Sequence, residues 1–271
     1  MNRIRGRTAI VTGATAGIGE ACARALAAMG VRVVLTGRRG DRLEALAREL
    51  ATAGNGSTRG SGGMEPITAA FDVRDRAAVD DFAARLGSGG VAPDILVNNA
   101  GLARGLDTVQ EGKHDDWDEM IDTNLKGLLN MTRAILPGMV ARDSGHVVNI
   151  GSIAGRVIYP KGAVYCATKY AVRAITEGAN VDLVGTRVRM SSVDPGMVET
   201  EFSRVRFRGD DARARTVYEG VDPLTPEDVA DAVCYVLNTP PHVNVQQMLV
   251  MPTMQRSPYV LDRRPAETAK E

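Results

Sequence analysis

The sequence has no long hydrophobic run, no excess of charge of one sign, and few cysteines or histidines. No apolar stretch approaches the roughly 20 residues of a transmembrane helix, which argues against a membrane protein. The 33 Lys and Arg residues balance 33 Asp and Glu residues, so the composition offers no broad basic surface for nucleic acid or an anionic membrane. The expected partner is a small molecule.

The three cysteines, Cys22, Cys166 and Cys234, are far apart, and their spacing is not that of metal ligands. This pattern is typical of free thiols in a reducing compartment, and it argues against a zinc site, so no metal is expected. The N-terminal residues run from basic side chains directly into a short apolar strand, without a cleavage-site pattern. We therefore expect a cytoplasmic protein.

Short β-branched runs alternate with amphipathic segments along most of the chain, which predicts an α/β fold. The predicted strands are Thr8–Thr12, Val31–Thr36, Ile67–Phe71, Ile95–Val97, His146–Ile150, Arg187–Val193 and Val245–Val250. The predicted helices are Glu20–Met29, Asp41–Leu50, Ala77–Leu86, His114–Arg142, Val164–Val184 and Pro226–Leu237. We expect a doubly wound Rossmann fold, a seven-stranded and mostly parallel sheet with helices on both faces.

The length of 271 residues suits one large α/β domain, whose core needs no disulfide or metal. We assign residues 1–257 to this single domain. Residues 51–63 are rich in Gly and Ser and predict a flexible surface loop, and the polar residues 198–222 are interpreted as a substrate lid. Residues 258–271 are predicted to form a polar C-terminal tail.

A glycine-rich turn, Thr12–Gly19 (TGATAGIG), joins the first predicted strand to the first helix. Gly13 allows a tight turn, while Gly17 and Gly19 let backbone amides approach phosphates at the positive end of a helix. A strand-to-helix turn can need glycine without any ligand, but the position of this one in a first βαβ unit favours binding of a dinucleotide pyrophosphate.

The end of the second predicted strand bears on the choice of dinucleotide. NAD sites commonly have a carboxylate there for the ribose 2′-hydroxyl. Here the strand is followed by Gly37, Arg38 and Arg39, with no acid. The two guanidinium groups can clamp a 2′-phosphate through charge-assisted hydrogen bonds, or they can lie solvated near a helix start. The pattern favours NADP over NAD.

Tyr165 and Lys169 are four residues apart in a predicted helix, so their side chains leave the same face one turn apart. An ammonium beside a phenol is expected to lower the phenol pKa and so fit it for proton transfer to or from an alcohol. Ser152 follows a buried strand, at the carboxyl edge where α/β sheets bind ligands. Each residue alone is more often structural, and their conjunction favours catalysis.

These motifs, with the turn Asn98–Gly101 and Asn124 in a helix, resemble in order and spacing the short-chain dehydrogenase/reductase family over Arg7 to about Pro252. The resemblance implies an enzyme with catalytic residues Asn124, Ser152, Tyr165 and Lys169. It also implies an NADP site, with Asn124 ordering a water in a proton relay. The implied cofactor-binding residues are Gly13, Thr15, Ala16, Gly17, Ile18, Gly19, Arg38, Arg39, Asp72, Val73, Asn99, Ala100, Gly101, Tyr165, Lys169, Pro195, Gly196, Val198 and Thr200.

Within the family, several segments resemble the NADP-dependent 3-hydroxy acid dehydrogenases, which act on serine and allo-threonine. The segments are Met120–Asn124, Met131–Ala134, Arg204–Asp211 and Leu224–Val229. The Gly/Ser insertion before Pro66 and the segment Ser152–Val157 depart from that pattern. An NADPH-dependent aldehyde or ketone reductase of a specialised pathway is therefore the alternative, and a non-catalytic NADP-binding protein is a remote one.

A 3-hydroxy acid needs a cation for its carboxylate, and the Arg-rich segment supplies Arg204, Arg206 and Arg208. We favour Arg206, with Arg156 and Lys161 as rivals, although arginines on a lid can also be simply solvated. Family members are commonly tetramers built through long helices. The resemblance therefore implies a homotetramer or a dimer.

Overall fold

The apolar runs of the sequence form one sheet in the computed structural model, which describes residues 2–54 and 65–264. Its strands within these ranges are β1 (Thr8–Thr12), β2 (Arg32–Gly37), β3 (Ile67–Ala70), β4 (Ile95–Asn98), β5 (Gly145–Ile150), β6 (Val188–Pro195) and β7 (Gln247–Val250). They pair in the order β3-β2-β1-β4-β5-β6-β7, and each of these pairings is parallel. The predicted doubly wound fold with a seven-stranded sheet is confirmed.

The helices follow the strands in the alternation that the sequence predicts. They are α1 (Gly17–Ala28), α2 (Gly40–Gly54), α3 (Arg76–Ser88), α4 (His114–Ile121), α5 (Leu128–Ala141), α6 (Ala163–Asp182), α7 (Phe202–Arg206), α8 (Asp211–Thr216) and α9 (Pro226–Leu237). In the described part of the chain, no helix combines the length and the apolar character that crossing a membrane requires.

Two hydrophobic clusters hold the helices against the sheet. One contains Val11 and Leu35 and packs against side chains of α1, α2 and α9. The other contains Ile10 and Leu96 and packs against side chains of α3 and α5. Strand β5 is buried along its whole length, as expected for a parallel strand covered on both faces. The helices therefore cover both faces of the sheet.

The predicted long helix His114–Arg142 is helical but not uniform. A π-helical segment, Asp122–Gly127, separates α4 from α5. Its wider turns change the direction of the side chains relative to an α-helix, and such segments often occur at functional sites. Asn124 lies in this segment and is buried.

The predicted loop 51–63 begins later than expected, because α2 continues to Gly54. Thr52 donates a hydrogen bond from its hydroxyl to the carbonyl of Glu49, so this polar side chain is accommodated within the last helical turn. The prediction was wrong for residues 51–54, and residues 55–63 lie outside the described ranges.

Part of the predicted C-terminal tail packs on the domain. The backbone N–H of Arg264 donates to the carbonyl of Gly220 (2.8 Å), and the Tyr259 hydroxyl donates to the carbonyl of Ile158. Gln255 forms an isolated β-bridge with Leu261. Residues 258–264 therefore contact the lid region rather than forming a separate tail, while residues 265–271 are not among those described.

We expect Leu96→Ala to lower the free energy of unfolding by about 2–5 kcal/mol, because Leu96 is fully buried in the centre of the sheet. Val109→Ala, at a residue that is 59% exposed, should change it by less than about 0.5 kcal/mol. Urea denaturation of both variants measures the difference, and equal unfolding midpoints would contradict the core described above.

Candidate active site

A cleft of about 360 Å³ opens at the carboxyl ends of the strands, where β1 pairs on one side with β2 and on the other with β4. This is the point where strand order reverses, the usual ligand site of open α/β sheets. The cleft is lined by nearly all of the cofactor-binding residues predicted from the sequence: Gly13, Thr15, Ala16, Gly17, Ile18, Arg38, Arg39, Asp72, Val73, Asn99, Ala100, Gly101, Tyr165, Lys169, Pro195, Gly196, Val198 and Thr200.

The glycine-rich turn forms the floor of this cleft. Gly13 (φ +67°) and Gly17 (φ +56°) have the left-handed backbone conformation that side chains disfavour. The residue before α1, Ala16, makes no side-chain cap, so the amides of the first helical turn are available to a ligand. The turn therefore offers backbone donors at the positive end of a helix, which is suited to a pyrophosphate.

Gly19 does not line the cleft but makes the turn possible. A Cβ at Gly19 would lie 2.3 Å from Nδ2 of Asn99 and 2.4 Å from the carbonyl oxygen of Gly13. The Asn99 amide itself donates to the carbonyls of Thr12 (2.9 Å) and Gly13 (3.2 Å). Only glycine at position 19 lets α1, the turn and the segment after β4 approach so closely.

Arginines surround the far end of the cleft, beyond β2. Arg39 donates to the Thr15 hydroxyl through Nε (3.1 Å) and Nη2 (2.8 Å). Its Nη1 lies 3.0 Å from one oxygen of Glu201, and Nη1 of Arg42 lies 3.0 Å from the other. Arg38 is 59% exposed, and its guanidinium is 3.9 Å from Asp72. Arg38 and Arg39 thus line the end of the cleft where the sequence predicts a 2′-phosphate, and Arg42 joins Arg39 on Glu201.

Tyr165 lies in the wall of the cleft on α6 and is 9% exposed. Its ring contacts that of Phe202 in an edge-on arrangement, with 5.6 Å between centroids. Burial raises the pKa of the Tyr165 phenol, and nearby Tyr159 adds to this, while the Arg206 guanidinium and a hydrogen bond with Ser152 oppose it. The phenol is therefore protonated at neutral pH in this arrangement.

Lys169 lies one helical turn from Tyr165 and is also buried. Burial lowers the pKa of its ammonium to about 8, and the negative charge of Asp194 partly opposes this. Its Nζ donates to the carbonyl of Ile150 (2.8 Å). The predicted lowering of the Tyr165 pKa by this ammonium is not observed, because desolvation of the phenol dominates and the cation acting on it is Arg206.

Ser152 and Asn124 are held by backbone groups near Tyr165 and Lys169. Ser152 caps a short 3-10 helix, Ile153–Gly155, by accepting from the N–H of Ala154 (3.1 Å). The Asn124 side chain accepts from the N–H of Leu102 and donates to its carbonyl, both at 2.8 Å. Ser152 lines the cleft, whereas Asn124 lies behind it.

The lid arginines have different partners. Arg204 pairs with Asp211 (3.0 Å), and Arg208 pairs with Asp116. Arg206 lies over the ring of Tyr165, with 5.2 Å between Cζ and the ring centroid. It donates from Nη2 to the Tyr159 hydroxyl (2.8 Å), while its buried Nε has no partner among the described residues.

Arg156, one of the two other cations considered for the substrate carboxylate, already has an acidic partner. It pairs with the buried Asp194 (2.6 Å) and also donates to Gln247 (2.8 Å). It does not line the cleft, and the structure does not bring it to Tyr165. Lys161 and Arg206 both line a smaller cavity, of about 20 Å³, that adjoins Tyr165.

Sequence reasoning missed Arg42, Glu201 and Tyr159. Arg42 lies one helical turn beyond Arg38 and Arg39, a spacing that could have revealed it. Glu201 pairs with residues about 160 positions away, and no local pattern signals such a contact. Tyr159 lies in an irregular segment, so the sequence does not indicate that its hydroxyl faces the lid.

We expect Gly19→Ala to weaken binding of NADPH, the predicted cofactor, by roughly tenfold or more, since overpacking of this kind costs about 1–3 kcal/mol. Gly178→Ala is the matched control, because a Cβ there meets no atom within 4 Å. Fluorescence titration of both variants measures the dissociation constants. Wild-type affinity in Gly19→Ala would contradict the close approach described here.

Comparison with known proteins agrees with this geometry. A protein named NADP-dependent 3-hydroxy acid dehydrogenase from Salmonella typhi is 48% identical over 247 residues, which cover 91% of this chain and 95% of that protein. Sulfoacetaldehyde reductase 2 from Chromohalobacter salexigens is 43% identical over 256 residues, covering 94% and 98%. A solved structure described as the closed form of serine dehydrogenase complexed with NADP⁺ matches with a TM-score of 0.86 at 45% identity, covering 95% and 100%.

The sequence model of the short chain dehydrogenase family matches residues 7–211, which include the glycine-rich turn, Ser152, Tyr165 and Lys169. This match spans most of the chain, and the relatives above extend it towards the C-terminus. The chain belongs to the short chain dehydrogenase family.

Proposed function

We propose that the protein is an NADP(H)-dependent oxidoreductase that transfers a hydride between the nicotinamide and a small 3-hydroxy acid such as serine or allo-threonine. The observation that carries this proposal is the position of Arg206, a cation without a carboxylate partner in the described ranges, over the ring of Tyr165. Relatives named for NADP and 3-hydroxy acids, and a serine dehydrogenase structure with NADP⁺, support it.

The residues that line the cleft suit a dinucleotide. Backbone amides at the start of α1 would bind the pyrophosphate, and Asp72 and Val73, which line the cleft, would contact the adenine. Arg38 and Arg39 would bind the 2′-phosphate, and the structure adds Arg42 to them. Charge-assisted hydrogen bonds of this kind contribute roughly 1.5–3 kcal/mol each, which favours NADP over NAD.

The catalytic roles follow from the positions of the side chains. When bound, the nicotinamide supplies the hydride chemistry, and the protein contributes orientation and proton transfer. Tyr165 would transfer the proton to or from the substrate oxygen, and Ser152, hydrogen-bonded with it, would orient that oxygen. Lys169 would hold the nicotinamide ribose, and Asn124 would order a water in a relay to Lys169.

The protonated form of Tyr165 suits the reductive direction, because it can donate a proton to the developing alkoxide, although burial raises its pKa and makes it a weaker acid. In the oxidative direction the same group must first lose its proton. The positive charge of Arg206 nearby would stabilise the phenolate that forms then.

We expect Tyr165→Phe to lower kcat by about 10²–10⁴-fold, because the group that transfers the proton is lost, while NADPH affinity stays close to that of the wild type. Tyr170→Phe, on the same helix but with its hydroxyl donating to the carbonyl of Arg156, is the control and should remain active. Near-normal turnover in Tyr165→Phe would overturn the assignment.

Arg206 is the residue that we assign to the substrate carboxylate. Arg204 and Arg208 each pair with an acid, whereas Arg206 has an unpaired Nε and is positioned by the hydroxyl of Tyr159. The adjoining cavity of about 20 Å³ has room for little more than one water. Binding of an acid there would therefore need α7 to move slightly outward.

We expect Arg206→Gln to raise KM for serine by about 10–100-fold, because the charge-assisted hydrogen bonds to the carboxylate are lost. KM for a neutral alcohol, which makes no such bonds, should change much less, whereas kcat should fall for both substrates because the cation over the Tyr165 ring is lost. Arg204→Gln is the matched control, as Arg204 is 63% exposed and pairs with Asp211. An unchanged KM for serine in Arg206→Gln would remove this role.

The second candidate is an NADPH-dependent aldehyde or ketone reductase of a specialised pathway. The relative named sulfoacetaldehyde reductase favours it, and a guanidinium can also donate to the oxygens of a sulfonate. A substrate panel of serine, 3-hydroxyisobutyrate and bulkier carbonyls separates the two enzymes. A non-catalytic NADP-binding protein is disfavoured, because Ser152, Tyr165 and Lys169 share one cleft.

We infer that the chain assembles as a homotetramer, or as a dimer, through its long helices. Large apolar side chains are exposed on these elements and on β7: Leu129, Val140, Tyr170, Val181, Tyr235 and Leu249. Light scattering coupled to size-exclusion chromatography tests this state. A cytoplasmic location is supported by the three cysteines, each of which is a free thiol.

A further inference from the structure

A second cavity, of about 180 Å³, opens at the amino-terminal edge of the sheet, opposite the active-site cleft. It lies at the beginnings of β1, β4, β5 and β6, beside Leu237 at the end of α9. One water needs roughly 10–15 Å³ of such space, so a polyatomic ligand fits. The charged and titratable residues of this wall, which we call the amino-edge cavity, are Arg7, Asp94, Asp143, His146, Arg187 and Arg189.

Both acids of the amino-edge cavity are already paired. Asp94 accepts from the backbone N–H of Thr8 (2.9 Å) and from Nη1 of Arg7 (3.2 Å). Asp143 accepts from the backbone N–H (2.6 Å) and Nε (2.8 Å) of Arg187. These four side chains form two ion pairs, so no carboxylate of the wall is left for another cation.

Arg189 is the cation of this wall that has no counter-ion among the described residues. Its Nη1 donates to the Thr239 hydroxyl (2.7 Å) and to the carbonyls of Val243 (2.9 Å) and Pro240 (3.4 Å), all of them uncharged. Its Nε and Nη2 make no hydrogen bond with any described residue. Burial and the nearby Arg7 both lower the pKa of Arg189, and no acid opposes them. A half-buried guanidinium in this situation favours an anion as its partner.

His146 is a second polar group on this wall that lacks a partner. It is 2% exposed, and its Nε2 lies 2.8 Å from the Ser191 hydroxyl. That hydroxyl donates to Asn244, so Nε2 carries the proton, while the buried Nδ1 has no partner in the described ranges. Burial, with Arg189 and Arg7, lowers the pKa of His146 to about 3. The ring is therefore neutral and leaves the positive charge of Arg189 uncompensated.

We propose that the amino-edge cavity binds a small oxyanion, of the class of inorganic phosphate and sulfate, through the free Nε and Nη2 of Arg189. These two nitrogens form one edge of the planar guanidinium and can donate to two oxygens of one anion. The site lies at the opposite end of the strands from Tyr165, so it is independent of the hydride-transfer chemistry.

The first test uses the imidazole NMR signal of His146, a residue of the cavity wall, as a local probe of binding. The chain has three histidines, so an isotope-labelled protein gives few imidazole signals, and variants at His114 and His242 assign them. Sodium phosphate, and separately sodium sulfate, is titrated into the protein saturated with NADP⁺, with chloride at matched ionic strength as reference. We expect a saturable shift of the His146 signal with phosphate or sulfate, and none with chloride. Anions that bind in the active-site cleft do not move this signal.

The second test removes the guanidinium. Arg189→Gln should weaken phosphate binding, measured by calorimetry on the NADP⁺-saturated protein, by at least tenfold. Arg48→Gln, at an exposed arginine of α2, should bind as the wild type does. Arg189→Gln also loses the hydrogen bonds to Thr239 and Val243, which could destabilise the variant. A third test therefore uses a wild-type crystal soaked in selenate and needs no variant.

We expect an anomalous selenium peak in the amino-edge cavity, with selenate oxygens within hydrogen-bonding distance of Nε and Nη2 of Arg189. No selenium peak at the amino-edge cavity and no oxyanion-specific shift of His146 would overturn the proposal. Retained phosphate affinity in a folded Arg189→Gln protein would overturn the assignment of Arg189. None of these outcomes depends on whether serine is a substrate, so they test the cavity separately from the proposed function.

Discussion

Desolvation of two ionisable side chains on one turn of α6 is the constraint on which the active site depends. Tyr165 and Lys169 are both buried, and burial shifts the pKa of each group towards its neutral form. The proton transfer proposed above involves charged forms of both groups, so it requires compensating charge in the site. Arg206 does so for the phenol, and Asp194 and the carbonyl of Ile150 do so for the ammonium.

The segment 198–222, interpreted from the sequence as a lid, contacts both the surroundings of Tyr165 and the cofactor end of the cleft. Its short helix α7 carries Arg206 over the Tyr165 ring, and the residue before the helix, Glu201, bridges Arg39 and Arg42 at the other end of the cleft. One segment therefore contacts both the proposed substrate cation and the arginines proposed to bind the 2′-phosphate. Docking of residues 258–264 beside the lid adds backbone hydrogen bonds to the same region.

Much of this architecture could be predicted from the sequence, because strands buried on both faces, glycine-rich turns and Tyr-x-x-x-Lys spacing are local signals. The sequence singled out three lid arginines but could only rank them. Which one faces Tyr165 is decided by the rotation of a five-residue helix, which tertiary contacts fix. The sign of the Tyr165 pKa shift depends on burial and distance in three dimensions, and sequence spacing does not report these.

The most direct test of the account is the rate at which the wild-type protein oxidises serine with NADP⁺ and with NAD⁺, followed by absorbance of the reduced nicotinamide. The account predicts turnover with NADP⁺ and a kcat/KM at least about tenfold lower with NAD⁺, which lacks the phosphate that Arg38 and Arg39 would bind. Equal rates with the two cofactors, or no oxidation of any small hydroxy acid with NADP⁺, would contradict it.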